Sequence, residues 1–91
     1  MTSYEEAIHF ERRVAAIYRA LGATVEHNVS LAGNQIDVLV VEQTQSGAAF
    51  RVAVECKFFS KPVGVDTVNS LAGLAILLRN RNLIDKATLV S

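Results

Sequence analysis

The stretch IDVLVVEQTQSGAAFRVAVECK, Ile36 to Lys57, decides the fold. Two apolar runs, IDVLVVEQ and AAFRVAVECK, flank the polar turn TQSG, and that arrangement predicts a β-hairpin. Within each run the apolar residues follow one another instead of alternating with polar ones. Strands of this kind are covered on both faces, so helices are expected above and below the sheet.

Upstream, TSYEEAIHFERRVAAIYRALG predicts an amphipathic helix. Ala7, Phe10, Val14, Ile17, Tyr18 and Leu21 recur at helical spacing, and Gly22 supplies the stop. Ser3 followed by Glu6 matches a capping box. ATVEHNVSL then predicts a strand with Val25, Val29 and Leu31 on one side, and AGNQ a turn. Beyond Pro62 the pattern returns to helix from Val65 to Arg79, apolar on nearly every side around Leu71 to Leu78, and KATLVS opens a last strand. The order is αβββαβ, an α/β class with helices above and below the sheet.

A chain of 91 residues makes a single domain, residues 1–91, near the lower end of what buries its own core. The apolar share of 51% excludes a disordered chain. Nine basic and nine acidic side chains cancel, so the strong positive field of a sequence-independent nucleic-acid binder is absent and any DNA affinity must be local or borrowed from a partner. The single cysteine, Cys56, excludes an internal disulfide and a cysteine-rich zinc site and fits a reducing compartment. His9 and His27 read as surface residues. The longest apolar run, LAGLAILL, is far shorter than the ~20 residues needed to cross a bilayer, so a cytoplasmic protein without a membrane segment is expected. The last apolar run reaches Ser91 without a closing helix, which reads as a truncated piece of a longer chain or a domain completed by association.

The hairpin brings acids together. A turn centred on Ser46 sets Asp37 opposite Glu55, and opposed residues of an antiparallel pair have Cβ atoms about 4.5–5.5 Å apart. Two carboxylates at roughly 5 Å repel by about 3 kcal/mol at an effective dielectric near 20. A divalent cation between them reverses the sign, and hard oxygen ligands suit Mg2+ or Mn2+. Lys57 emerges on the same face as Glu55. On the first helix, Glu11 lies at the edge of the apolar stripe beside Ala7 and Tyr18 and is the better third acid, whereas Glu6 is taken by the cap and Glu5 points away. Cys56, between Glu55 and Lys57, should point to the opposite, buried face as a small core hydrophobe.

Taken in order, FE on the first helix with LG at its end, GNQID opening a strand, VECK, and KPVGVDTVNSLAG on a helix resemble the Mrr-like branch of the PD-(D/E)XK nuclease superfamily, from about Phe10 to Ser91. The resemblance implies a restriction-endonuclease-like αβββαβ core with a mixed central sheet flanked by helices. It implies Asp37 and Glu55 as paired metal ligands, Lys57 as the catalytic lysine, Glu11 as the helix acid that contacts the metal directly or through water, and the Cys56 backbone carbonyl as a neutral ligand. Many Mrr-like members carry Gln where this chain has Glu55. The acid here conforms to the wider superfamily, and the family would continue past Ser91 with a further loop and helix.

The implied reaction is metal-dependent hydrolysis of a DNA phosphodiester by in-line attack of water, of restriction or genome-defence type, with Mg2+ or Mn2+ as cofactor. Lys57, a pure donor, would orient the water or stabilise charge at phosphorus. Lys61, Arg12, Arg13, Asn34 and Gln35 are candidate phosphate contacts. No recognition helix rich in Arg, Asn or Gln is present, so selectivity would come from DNA shape, a targeting domain or a partner chain. The greasy SLAGLAILL helix is expected either to be buried within the monomer or, with Gly73 permitting close approach of another backbone, to form a homodimer contact that would place two sites to cut both strands. Alternatives are a Holliday-junction resolvase-like nuclease, and a catalytically inactive nuclease-fold module for DNA binding or assembly.

Overall fold

The computed structural model describes residues 3–57 and 64–91; Lys61 and the side chain of Ser3, on which the capping box depends, lie outside what it describes. The elements run α1 (Ser3–Ala20), β1 (Thr24–Leu31), β2 (Asn34–Gln43), β3 (Ala49–Cys56), α2 (Val65–Asn80) and β4 (Lys86–Val90). This is the αβββαβ order expected from periodicity. The sheet is open, in the order β1-β2-β3-β4, with β4 parallel to β3 and the other neighbours antiparallel. It is the restriction-endonuclease-like α/β architecture.

Both helices end in the same device. At the end of α1, Gly22 (φ 95°) donates to the Arg19 carbonyl at 2.9 Å and Ala23 donates to the Tyr18 carbonyl at 3.1 Å. At the end of α2, Asn82 (φ 59°) donates to Arg79 at 2.9 Å and Leu83 to Leu78 at 2.9 Å. Each is a Schellman motif, in which a left-handed residue satisfies carbonyls the helix would otherwise orphan. The chain is thereby turned back onto the sheet.

The sheet buries both faces, as the unalternating runs of β2 and β3 require. On one side Val38, Val40, Val52, Val54 and Cys56 pack with Val14 and Ala15 of α1; on the other Ile36, Leu39 and Ala53 pack with Leu78 of α2 and Ile84. The inward face of α1 is centred on Val14 and Ala15, while Ile17 and Leu21 are 61% and 77% exposed. The two outer apolar residues thus fall outside the stripe. A helix laid on a flat sheet offers it only a narrow strip, and Val14 with Ala15 already fills it.

β1 departs from the single-sided reading. Val25 packs on the α1 side, whereas Val29 and Leu31 pack on the α2 side. The reason is Asn28, left-handed at φ 51°, which with Asp37 drops out of the β1–β2 ladder between the pairs His27↔Val38 and Val29↔Ile36. Side-chain alternation is reset there, and β2 shows the matching change between Ile36 and Val38. The β1–β2 turn is also tighter than AGNQ suggested: Ala32 and Gly33 both have positive φ, which is what a two-residue hairpin turn demands. Asn34 and Gln35 belong to β2, and the Asn34 amide donates back to the carbonyls of Leu31 and Ala32.

α2 is covered on one side. Leu78 is fully buried and Leu74 half-buried against the sheet, while Val65, Val68 and Ile76 are exposed. A Cβ placed on Gly73 would meet nothing within 4 Å, so no backbone of the described chain approaches it. No helix among the described residues is long and apolar enough to cross a membrane.

Arg51 ties α2 and β4 to the sheet. Its backbone N–H and Nε donate to Asp85 Oδ2 at 2.7 and 3.3 Å, and its two terminal nitrogens donate to the carbonyl and side-chain oxygen of Asn82 at 2.8 and 3.3 Å. These bonds hold the Asp85 carboxyl below the usual range. The ionised form is therefore the one the fold favours, and its contribution is complete at neutral pH and lost as pH falls through the depressed native value. Asp85→Asn is expected to lower the melting temperature by a few degrees at pH 7. Thermal melts across an acid series check this, because the gap to the unsubstituted protein should close as the pH drops.

Candidate active site

The backbone ladder between β2 and β3 stops at Val38↔Val54. Its register is the one a turn centred on Ser46 sets, so the next pair would be Asp37 and Glu55. There the ladder is replaced. The Cys56 amide donates not to a carbonyl of β2 but to Asp37 Oδ2, at 3.0 Å. Beyond this point β3 pairs with β4 alone, through Glu55↔Leu89 and Cys56↔Val90, and the Lys57 amide donates to the Val90 carbonyl at 2.9 Å. The directly opposed ladder pair expected from sequence is thus a side-chain contact at the fork where β2 and β3 part.

Alternation along β3 sends Val54 and Cys56 into the α1-side core and Glu55 to the other face. The Glu55 side chain is only 15% exposed, and Lys57 Nζ lies 3.8 Å from Glu55 Oε2. The other oxygen, Glu55 Oε1, is buried with no hydrogen-bond partner. An orphaned buried carboxylate oxygen costs desolvation free energy that the fold does not recover within the described chain.

The charges of Asp37 and Lys57 act on both Glu55 and Glu11. Burial, then the charge of Asp37, pushes the Glu55 carboxyl above the usual range, against the opposing pull of Lys57 and of a hydrogen bond from the Asp37 backbone. Glu11 is raised in the same way, first by burial and then by Asp37, with Lys57 again opposing. Glu11 reaches the region from α1. The Cys56 thiol is pushed up to about 12, by burial first and then by Asp37, Glu11 and Glu55. It stays a protonated core side chain and no thiolate ligand, as its position between Glu55 and Lys57 predicted.

Hard carboxylate oxygens with one left unpartnered fit a divalent cation such as Mg2+, which commonly takes one or two carboxylates and keeps several waters. Among the described residues no three His, Cys, Asp or Glu side chains form a ready-made cage. Glu11, on α1, feels the charge of Asp37.

A cleft of about 320 Å³ opens beside the pair, lined by Glu55, Lys57 and Leu89 with Asp66, Thr67, Ser70, Leu71 and Leu74 of α2. The α2 residues were not singled out from sequence. Their signal was present, since Thr67, Ser70, Leu71 and Leu74 lie on one helical face. A second cleft, of about 270 Å³, lies between α1 and β1 and is lined by Ile8, Glu11, Arg12, His27 and Asn28. His27 is therefore no plain surface residue; it is half-buried and bonded to Arg19. Of the other phosphate-contact candidates, Gln35 is exposed on β2 and Asn34 is engaged in its turn.

A two-helix, four-stranded mixed sheet with an acid pair and a lysine at the fork of its central strands defines the restriction-endonuclease-like class of nucleases. The model of the restriction endonuclease family Mrr_cat matches residues 5–91, and the chain belongs to that family, within the Mrr-like PD-(D/E)XK nucleases. Searches of curated proteins and of solved structures give no significant match. The chain is accordingly a restriction-endonuclease-type nuclease domain, of a family that acts on DNA and a superfamily that generally depends on divalent metal.

The raised Glu55 carboxyl has a consequence for stability. The native state binds this proton more tightly than the unfolded chain, so ionisation destabilises the fold and the loss is complete above the raised native pKa. In metal-free buffer Glu55→Gln is expected to melt a few degrees higher at pH 8. The gap should shrink as pH falls towards the ordinary carboxylate value of 4.5, which paired thermal melts will read.

Proposed function

We propose that this chain is a metal-dependent DNA endonuclease domain of restriction or genome-defence type, with Asp37, Glu55 and Lys57 at its reacting centre. The observation that carries the reading is the half-buried acid pair at the strand fork, with one buried Glu55 oxygen unpartnered and an ammonium 3.8 Å from the other. Asp37 and Glu55 would hold Mg2+ or Mn2+ with the Cys56 carbonyl as a neutral ligand, and Glu11 would act from α1. When bound, such a cation neutralises charge on phosphoryl oxygens and makes water more acidic. In support, the Cys56 amide fixes one carboxylate oxygen of Asp37. Lys57 donates hydrogen bonds to water or to the developing charge at phosphorus, and its ion pair with Glu55 sets where that ammonium stands. The cleft between β3 and α2 gives the strand access to these groups.

The exposed Val65, Val68 and Ile76 row on α2 is where a homodimer contact would bring a second site to the opposite strand. Net charge of zero leaves target choice to DNA shape, to a further domain or to a partner chain.

The test uses supercoiled plasmid and a four-way junction, each with and without Mg2+. Cleavage is expected only with the metal and should fall at least about 100-fold in Asp37→Ala and Lys57→Ala. Cleavage of the junction alone would make the chain a resolvase-like nuclease. In parallel, Mg2+ or Mn2+ should raise the melting temperature of the unsubstituted protein and not of Asp37→Ala, since a ligand of the native state stabilises it. No shift in either would favour the catalytically inactive DNA-binding or assembly module.

A further inference from the structure

The two clefts flanking the acid pair differ in charge. The α2-side cleft sets two carboxylates, Glu55 and Asp66, against Lys57 alone. The α1–β1 cleft sets Glu11 against Arg12, His27 and Asn28, with Arg19 bonded to His27 at 3.2 Å. A guanidinium only donates, so His27 accepts at Nε2 and carries its own proton on Nδ1. Among the described residues the Arg12 guanidinium has no ion-pair or hydrogen-bond partner, whereas Arg51 is engaged with Asp85 and Asn82 and Arg19 with His27. Asn28, the residue whose left-handed backbone resets β1, lines the same wall. The lining thus sets a free guanidinium, a histidine and an asparagine against one carboxylate. Glu11 is shared: it lines this cleft and feels the charges of Asp37 and Lys57.

We infer that the α1–β1 cleft is a phosphate subsite, in which Arg12, His27 and Asn28 hold a backbone phosphate of the nucleic-acid strand whose neighbouring phosphate lies at Asp37 and Glu55. The inference rests on the nuclease reading above. Its chemistry is that of a positioning contact: a fork of guanidinium donors on non-bridging oxygens fixes where a strand lies without reading its bases. The Arg12 and Glu11 charges in this cleft cancel and Arg19 adds a cation beside His27, so it is less negative than the α2-side cleft and the better placed of the two to receive a phosphate. One apolar side chain, Ile8, lines it, which does not suit an apolar ligand. A single carboxylate does not suit a metal.

The experiment measures binding of a fluorescent duplex oligonucleotide by anisotropy in EDTA over a salt series, and steady-state cleavage with Mg2+, for Arg12→Gln, Asn28→Gly, Asp37→Ala and Arg81→Gln. Asn28→Gly keeps the left-handed backbone accessible while removing the amide. Arg12→Gln is expected to weaken binding roughly tenfold, to reduce the salt slope by about one, and to raise KM more than it lowers kcat. Asn28→Gly should show a smaller loss of the same kind, and the charge-matched Arg81→Gln none. Melting temperatures of Arg12→Gln and the unsubstituted protein should agree. If Arg12→Gln keeps the affinity and salt slope of the unsubstituted chain while Asp37→Ala loses cleavage, the subsite is wrong and the nuclease reading stands. If the unsubstituted chain binds no DNA, both fall. Inorganic phosphate at matched ionic strength should leave the melting temperature unchanged; a rise that Arg12→Gln abolishes would mark a free-anion site and overturn the strand assignment.

Discussion

Where the β2–β3 ladder ends, the Cys56 amide donates to the Asp37 side chain. A sheet that continued its pairing would give that amide a backbone carbonyl and close the space between the strands. The carboxylate takes the place of the carbonyl, so the ladder is satisfied at the point where β2 leaves β3. Three things depend on it: Asp37 is held by one oxygen, Glu55 is brought beside it, and β3 is left to pair with β4 alone. The fork is a position the fold builds, and the acids are its contents.

The rest of the molecule holds the fork in place. Two Schellman motifs, one on Gly22 and one on Asn82, return the chain from each helix to the sheet, and Arg51 locks the second of them to β3. α1 then covers one face and presents Glu11 from it. α2 covers the other and lines the cleft beside Glu55 and Lys57. The reacting groups proposed for the domain therefore come from three elements packed on one another, which suits a constellation that must be held to within a fraction of an ångström.

Gathering acids is unfavourable for a chain this small, and its signs are visible in the raised carboxyls of Glu11 and Glu55 and in the unpartnered Glu55 oxygen. Lys57 offsets part of it. A fold selected for stability alone would have placed an amide or an apolar side chain at either acid, and this local conflict within an otherwise consistent sheet is what supports the proposed site. Membership of the Mrr_cat restriction endonuclease family agrees with that proposal.

The order of elements, the doubly covered strands, the hairpin register and the inward thiol of Cys56 were all legible in the sequence, because each follows from local periodicity and from the length of one turn. The approach of Asp37 to Glu55 followed from the same register. Periodicity could not show that Asn28 turns left-handed and resets β1, since an Asn within an alternating strand looks like any polar outward residue. It misplaced Ile17 and Leu21 because helical spacing says which residues share a face and not how wide a strip the sheet will cover. The clefts on either side of the fork, with Thr67 and Ser70 in one and Arg12 and His27 in the other, bring together residues remote in the chain. Local sequence fixes what each segment will be; only packing decides which polar side chains from separate segments face one another across water.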